Sequence, residues 1–228
     1  GVATDDTVDV SGTGSFSSAH VSRDANGNVL ANKSYTLADL QLSGGSANNY
    51  MIVGGATSIT GTDGRIDPKT LTLTGFAAEN KIYNGNNVAT IANAGVLLGV
   101  VGTDAVTASN TGATFSDQNV ATGKTVTLHG VALGGNEAGN YSIASTAAST
   151  ADITAKTLTI TGLPAAPKTY GGTSAVSISN WGTVSTGIAG EALTLNHGTA
   201  SFDNANVGLA KTVTASGYSL ANGTGGLA

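Results

Sequence analysis

One eight-residue run occurs twice in this chain. Lys69-Thr-Leu-Thr-Leu-Thr-Gly-Phe76 returns as Lys156-Thr-Leu-Thr-Ile-Thr-Gly-Leu163, a shift of 87 residues from Lys69 to Lys156. In both runs Thr alternates with an apolar residue, the period-two pattern of a strand with one face buried. A strand that returns at a fixed interval marks a tandem array, and this rules out a single large core as the organising principle.

The register between the copies holds without gaps. Tyr83 falls on Tyr170, Asp104 on Glu191, Phe115 on Phe202, Val120 on Val207 and Lys124 on Lys211, each pair 87 residues apart. Residues 69–155 make one complete repeat. Residues 156–228 make a second that lacks the counterpart of 140–155, its last strand. Residues 1–68 hold the back portion of a third: Phe16 corresponds to Phe115 with an offset of 99, and Lys33 to Lys124 with an offset of 91. The difference places an eight-residue insertion around Ser22–Asn32, where Asp24-Ala-Asn-Gly27-Asn predicts the turn of a longer hairpin.

Short β-type runs alternate with Gly/Asn turns through the complete repeat, near 69–75, 87–92, 95–101, 104–109, 113–116, 123–133 and 140–154. No helical period is sustained. Strands of this length and spacing predict an all-β fold of tandem immunoglobulin-like antiparallel β-sandwich repeats. The joints are almost without linker, as in Asp152-Ile-Thr-Ala-Lys156, which predicts an elongated, semi-rigid rod. Glu137-Ala-Gly-Asn-Tyr141, and more loosely Ser46-Ala-Asn-Asn-Tyr50, resemble the tyrosine corner of Greek-key sandwiches, in which the hydroxyl bonds to nearby backbone.

Composition narrows the function classes. Lys and Arg total 9 against 14 Asp and Glu, a net charge of −5, and only 10% of residues are charged. A nucleic-acid surface needs a basic stripe and polybasic membrane attachment needs clustered Lys, so neither is expected. No run approaches the roughly 18 apolar residues of a membrane span. Without Cys there is no disulfide or thiolate site. The chain starts Gly-Val-Ala-Thr with no signal-peptide pattern, which is expected of a mature fragment of a longer polypeptide.

Five elements together carry a resemblance to a known family. They are the Lys-Thr-Leu-Thr strand, Lys81-Ile-Tyr83-Asn84-Gly85, Gly102-Thr-Asp104-Ala-Val106, Phe115-Ser-Asp-Gln-Asn-Val120 with Lys124-Thr-Val126, and Glu137-Ala-Gly-Asn-Tyr141. The chain resembles the YDG/MBG-type repeats of large bacterial surface adhesins, many of them filamentous-haemagglutinin-like exoproteins of two-partner secretion systems. The middle copy resembles the YDG type, with Asn84 in place of the Asp. The last, with Tyr170-Gly171-Gly172, is similar to the MBG type. The resemblance implies an extracellular protein of the bacterial cell surface, and a stalk in place of an enzyme.

Few side chains are candidates for chemistry. His20, His129 and His197 occupy unrelated repeat positions and lack metal-ligand spacing. No Gly-x-Ser-x-Gly elbow or Ser/His/Asp set is present, so no enzyme is expected. No cofactor is expected either, apart from Ca2+ at a repeat junction through Asp152. Trp181, the single Trp, aligns with Ala94. It is therefore outside the shared scaffold and is the candidate glycan contact, with packing over a thin core as the other reading. The sequons at Asn32, Asn140 and Asn222 are candidate glycosylation sites.

The expected role is a structural stalk or adhesive segment that projects a binding domain or builds extracellular fibres of a biofilm matrix. Its partners would be neighbouring repeats of the same polypeptide and host or matrix glycans. Two alternatives differ in mechanism. One is a carbohydrate-binding β-sandwich module using Trp181. The other is a filament subunit assembled head-to-tail by strand complementation, because an open sheet edge accepts a strand from another chain.

Overall fold

A computed structural model describes residues 1–222, the side chain of Asn222 excepted. Strand accounts for 43% of the chain. The described residues include no α-helix, only three single turns of 3-10 helix at Ala47–Asn49, Val53–Gly55 and Ala138–Asn140. The chain is all-β and sandwich-like, with several antiparallel sheets.

Two compact units are present. The first comprises residues 1–77, 92–112 and 128–148; the second comprises 78–91, 113–127 and 149–228. The segment 69–155 therefore contributes to both.

In the first unit, the strands Asp9–Phe16, Lys33–Ser43 and Ile59–Gly64 form an antiparallel sheet with Lys33–Ser43 in the centre. The inserted residues close a hairpin. Arg23 bridges Val29, and the Asp24 carboxylate accepts from the Asn26 and Asn28 N–H groups while Gly27 takes a φ of 84°. A left-handed backbone of this kind favours Gly. Ala132–Gly134 pairs with Thr107–Ser109 in the same unit, and Tyr141–Ser142 pairs with Lys69–Thr70.

The second unit holds a five-stranded sheet, apart from a few strand-end residues. Its order is Lys81–Ile82, Ala147–Thr154, Ala121–His129, Gly112–Phe115, Val88–Ala89. Leu193–Asn196 pairs with Ser219–Asn222, and Ala200–Phe202 with Val213–Ala215.

The 87-residue register governs hydrogen bonds as well as residue types. Ser116 N–H bonds to Thr125 O and Asp203 N–H to Thr212 O; Thr111 N–H bonds to His129 O and Gly198 N–H to Ser216 O; Phe115 N–H bonds to Asn87 O and Phe202 N–H to Ser174 O. Lys81 Nζ donates to the carbonyls of Asn86 and Val88, and Lys168 Nζ to those of Thr173 and Ala175.

Two features differ from expectation. The run 140–154 is two strands, Tyr141–Ser142 and Ala147–Thr154, because it first pairs with Lys69–Thr70 and then enters the five-stranded sheet. Both Tyr141–Ser142 with Lys69–Thr70 and Ile153–Thr154 with Lys81–Ile82 are parallel pairings in an otherwise antiparallel fold. The strand placed at 95–101 lies instead at Ile91–Leu98 and stops where Gly99 turns to a φ of 103°.

Every fully buried apolar side chain among the described residues lies between Leu71 and Ile153. Leu71, Phe115, Val126 and Ile153 are 2%, 1%, 0% and 1% exposed. The counterparts Leu158, Phe202 and Val213 are only half-buried.

Candidate functional site: a repeated tyrosine–carboxylate latch

A turn closed by the Asp104 N–H to Val101 O bond presents two groups to a tyrosine. Tyr141 accepts a hydrogen bond from the Val101 N–H at 3.0 Å and donates its own proton to Asp104 Oδ2 at 2.6 Å. The short strand Tyr141–Ser142 is fixed alongside Lys69–Thr70. Leu71 N–H donates to Ser142 O at 2.8 Å, and the hydroxyls of Thr70 and Ser142 lie 3.2 Å apart. The donation to Asp104 raises the Tyr141 pKa above the usual 10.0, because a phenolate could not make it.

The same device recurs in the first copy. Asp6 N–H bonds to Ala3 O, Ala3 N–H donates to the Tyr50 hydroxyl at 2.9 Å, and Tyr50 donates to Asp6 Oδ2 at 2.6 Å. Ser46 donates to the other Asp6 oxygen. Hydrogen bonds from Tyr50, then Ser46, hold the Asp6 carboxyl below its usual 3.8. The tyrosine-corner reading located both tyrosines. It missed their acids, since Asp104 lies 37 residues and Asp6 44 residues from its partner. The backbone group that bonds Tyr141 is also 40 residues away, whereas a corner takes it from nearby.

In the last copy the turn is kept, with Glu191 N–H bonded to Ile188 O. Its carboxylate receives the hydroxyl of Tyr83, from the Tyr83-Asn84-Gly85 loop of the preceding repeat. That bond raises the Tyr83 pKa above 10.0. Gly85 sits against the same turn. Its φ is 79°, and a Cβ there would come within 2.7 Å of Ile188 Cγ2. Only glycine suits both constraints. Ile188 N–H is taken by Thr186 Oγ1, a hydroxyl that Gly99 cannot supply in the middle copy.

Two grooves lie in this last copy. One, of about 240 Å3, is lined by Lys156, Leu158, Ile188, Glu191, Leu193 and Tyr83 among others. The other, of about 600 Å3, runs past Lys168, Tyr170, Phe202, Leu209, Lys211 and Val213.

The remaining candidates are placed as follows. Trp181 stacks on His197 with ring centroids 3.8 Å apart and planes 5° from parallel, and Tyr218 meets its edge and donates to its backbone carbonyl. One face of the indole is therefore occupied. Asn32 is exposed. Asn140 Oδ1 accepts from Val21 N–H, and its Nδ2 donates to Glu137 and lies 3.0 Å from His20 Nδ1. Asn222 ends the strand Ser219–Asn222; its side chain and Thr224 of its sequon lie outside the described residues. Asp152 Oδ1 accepts from Gly123 N–H. No group of three or more His, Cys, Asp or Glu able to hold a metal occurs among the described residues, and no helix among them is long and apolar enough to cross a membrane.

Neither a curated protein nor a solved structure matches the chain. The family model of the YDG domain matches residues 67–149 and again 154–227, two adjacent segments that together span well over half of the chain. With two matches in the register set by the Lys-Thr-Leu-Thr strand, this chain belongs to the YDG domain family.

Proposed function

We propose that this chain is a structural segment of the stalk of a secreted bacterial surface adhesin, carrying a binding domain away from the cell or contributing to extracellular fibres. The observation behind this reading is the recurrence of one hydrogen-bond set in consecutive copies, joined by a bond that crosses from one copy to the next. Side chains that could do chemistry are occupied in building the repeat: Asp6, Asp104 and Glu191 receive tyrosines, and Lys81 and Lys168 close turns. A stalk needs such modules because each contributes length and contacts chiefly its neighbours. Non-enzymatic action, an extracellular location and glycan ligands bound by a more distal domain are parts of the same proposal.

Small-angle scattering tests the mechanical part. A compact globule of this length has a radius of gyration of about 17 Å. A stalk segment exceeds that clearly, and a value at the compact limit overturns the reading. Protease shaving of intact producing cells tests location: release of peptides from this chain supports a surface position, and complete protection argues against it.

A further inference from the structure

The two grooves of the last copy occupy equivalent positions to one continuous segment of the middle copy. Lys156, Leu158, Ile188 and Glu191 are the counterparts, 87 residues on, of Lys69, Leu71, Val101 and Asp104. In the middle copy Lys69 pairs with Tyr141, and Val101 and Asp104 hold the Tyr141 hydroxyl. Lys168, Tyr170, Phe202 and Val213 are likewise the counterparts of Lys81, Tyr83, Phe115 and Val126. There Ile153 pairs with Lys81, and Tyr83 N–H donates to Thr154 O. The smaller groove thus corresponds to the seat of Tyr141–Ser142, and the larger to the seat of Ala147–Thr154. Among the described residues, no strand pairs with Lys156–Thr157 or Lys168–Thr169.

We infer that the two grooves are a single acceptor site for an extended strand of a further YDG repeat, one carrying Asn-Tyr at its start and alternating apolar residues about ten positions later. The Tyr enters the smaller groove and donates to Glu191, as Tyr141 does to Asp104. A carboxylate can accept two tyrosines at once, so Tyr83 need not leave; Asp6 already takes two hydroxyl donors. The backbone of the strand pairs in parallel with Lys156–Thr157, and its distal half lies along Lys168–Thr169 with an apolar side chain over Phe202. A groove of about 240 Å3 falls below the ~300–1,000 Å3 of small-molecule sites and suits one aromatic side chain. Main-chain pairing supplies affinity and the tyrosine pocket supplies selectivity. Glycine at 85 leaves the mouth of this site open beside Ile188.

The test uses the whole chain and a synthetic peptide of residues 139–154. Saturable one-to-one binding is expected, with a rise in melting temperature as peptide is added. Replacing the peptide tyrosine by Phe weakens binding roughly tenfold, the value of one hydrogen bond to a charged group. Glu191→Gln in the protein produces a similar loss. A second arm does not depend on that variant. The chain contains no Cys, so Thr157→Cys and a peptide with Cys in place of Ser142 report the register directly; their counterparts, the Thr70 and Ser142 hydroxyls, are 3.2 Å apart. Cross-linking that a scrambled peptide does not reproduce supports the site. Absence of binding and of cross-linking overturns it, as does a Phe peptide that binds equally well. Self-association of the chain that free peptide displaces would assign the grooves to a second copy, and overturns the choice of a further repeat. None of these outcomes depends on whether the chain is a stalk, so the two proposals fail separately.

Discussion

The middle and last copies share a sequence pattern, a register and most of their hydrogen bonds, yet they differ in burial. Phe115 and Val126 are sealed in the middle copy, whereas Phe202 and Val213 stay half-exposed in the last. Leu71 and Leu158 differ in the same way. What separates the copies is the segment 141–154, which the middle copy lays over Leu71 and into the five-stranded sheet. The core of this fold is therefore completed by its final strands. The Thr-Leu strand that opens each repeat prepares an apolar face but does not cover it.

The largest test of this contrast is Phe115→Ala against Phe202→Ala. The first removes a fully buried ring and costs about 3–5 kcal/mol; the second removes a half-buried ring and costs roughly 1–2 kcal/mol. Thermal or urea unfolding of the two variants measures both, and equal losses would show that the copies are sealed alike. Next in size is the glycine pair. Gly85→Ala meets both a φ of 79° and a contact with Ile188, while Gly172→Ala meets a φ of 72° with nothing within 4 Å. The left-handed backbone costs ~1–2 kcal/mol at either site, so any excess at Gly85 measures how firmly the Tyr83-Asn84-Gly85 loop rests on the turn before Glu191.

How far this could be seen in the sequence depends on distance along the chain. Residue types spaced by 87 gave the copies, the hairpin at Asp24–Asn28 followed from local turn chemistry, and the tyrosines were found from their own neighbours. Their acids were not, because Asp6 and Asp104 sit in short turns with nothing local to mark them as receivers. The break between Tyr141–Ser142 and Ala147–Thr154 was equally hidden. Ile143-Ala-Ser-Thr146 contains no Gly or Pro, and the strand ends there because its partner changes. The strand Ile91–Leu98 was shortened in the reading since Asn93 and Ala94 are weak strand formers.

Smaller effects are expected from single hydrogen bonds. Tyr141→Phe and Tyr50→Phe each lower the melting temperature by a few °C, while Tyr170→Phe, at an exposed position, leaves it unchanged. Their pH dependence has a definite sign. The folded pKa of Tyr141 is raised, so its contribution is complete below pH 10.0 and is lost as pH rises through the folded value. Tyr141→Phe should remove part of the alkaline destabilisation. Asp117 and Asp203 are shifted the other way, held below 3.8 by hydrogen bonds from Lys124 and Lys211. Their stabilisation is present above pH 3.8 and lost as pH falls through the folded values. Asp117→Asn and Asp203→Asn should flatten the acid limb of the stability profile to similar extents; a response in only one would separate the copies further. The smallest effect is expected at Trp181. If its stacking on His197 serves packing, Trp181→Ala lowers stability slightly and leaves glycan-array signals unchanged, and a lost glycan signal would favour the carbohydrate-binding alternative.

Repeat arrays are often pictured as strings of interchangeable beads. The bond from Tyr83 to Glu191 gives this string a direction. If residues 156–222 were placed ahead of 69–155, Tyr170 would approach Asp104, whose carboxylate sits one methylene closer to the backbone, and the reach that Glu191 provides would be missing. Neighbours are thus matched by side-chain length across the joint, and the order of modules becomes a heritable property of the array, alterable by a single Asp/Glu exchange.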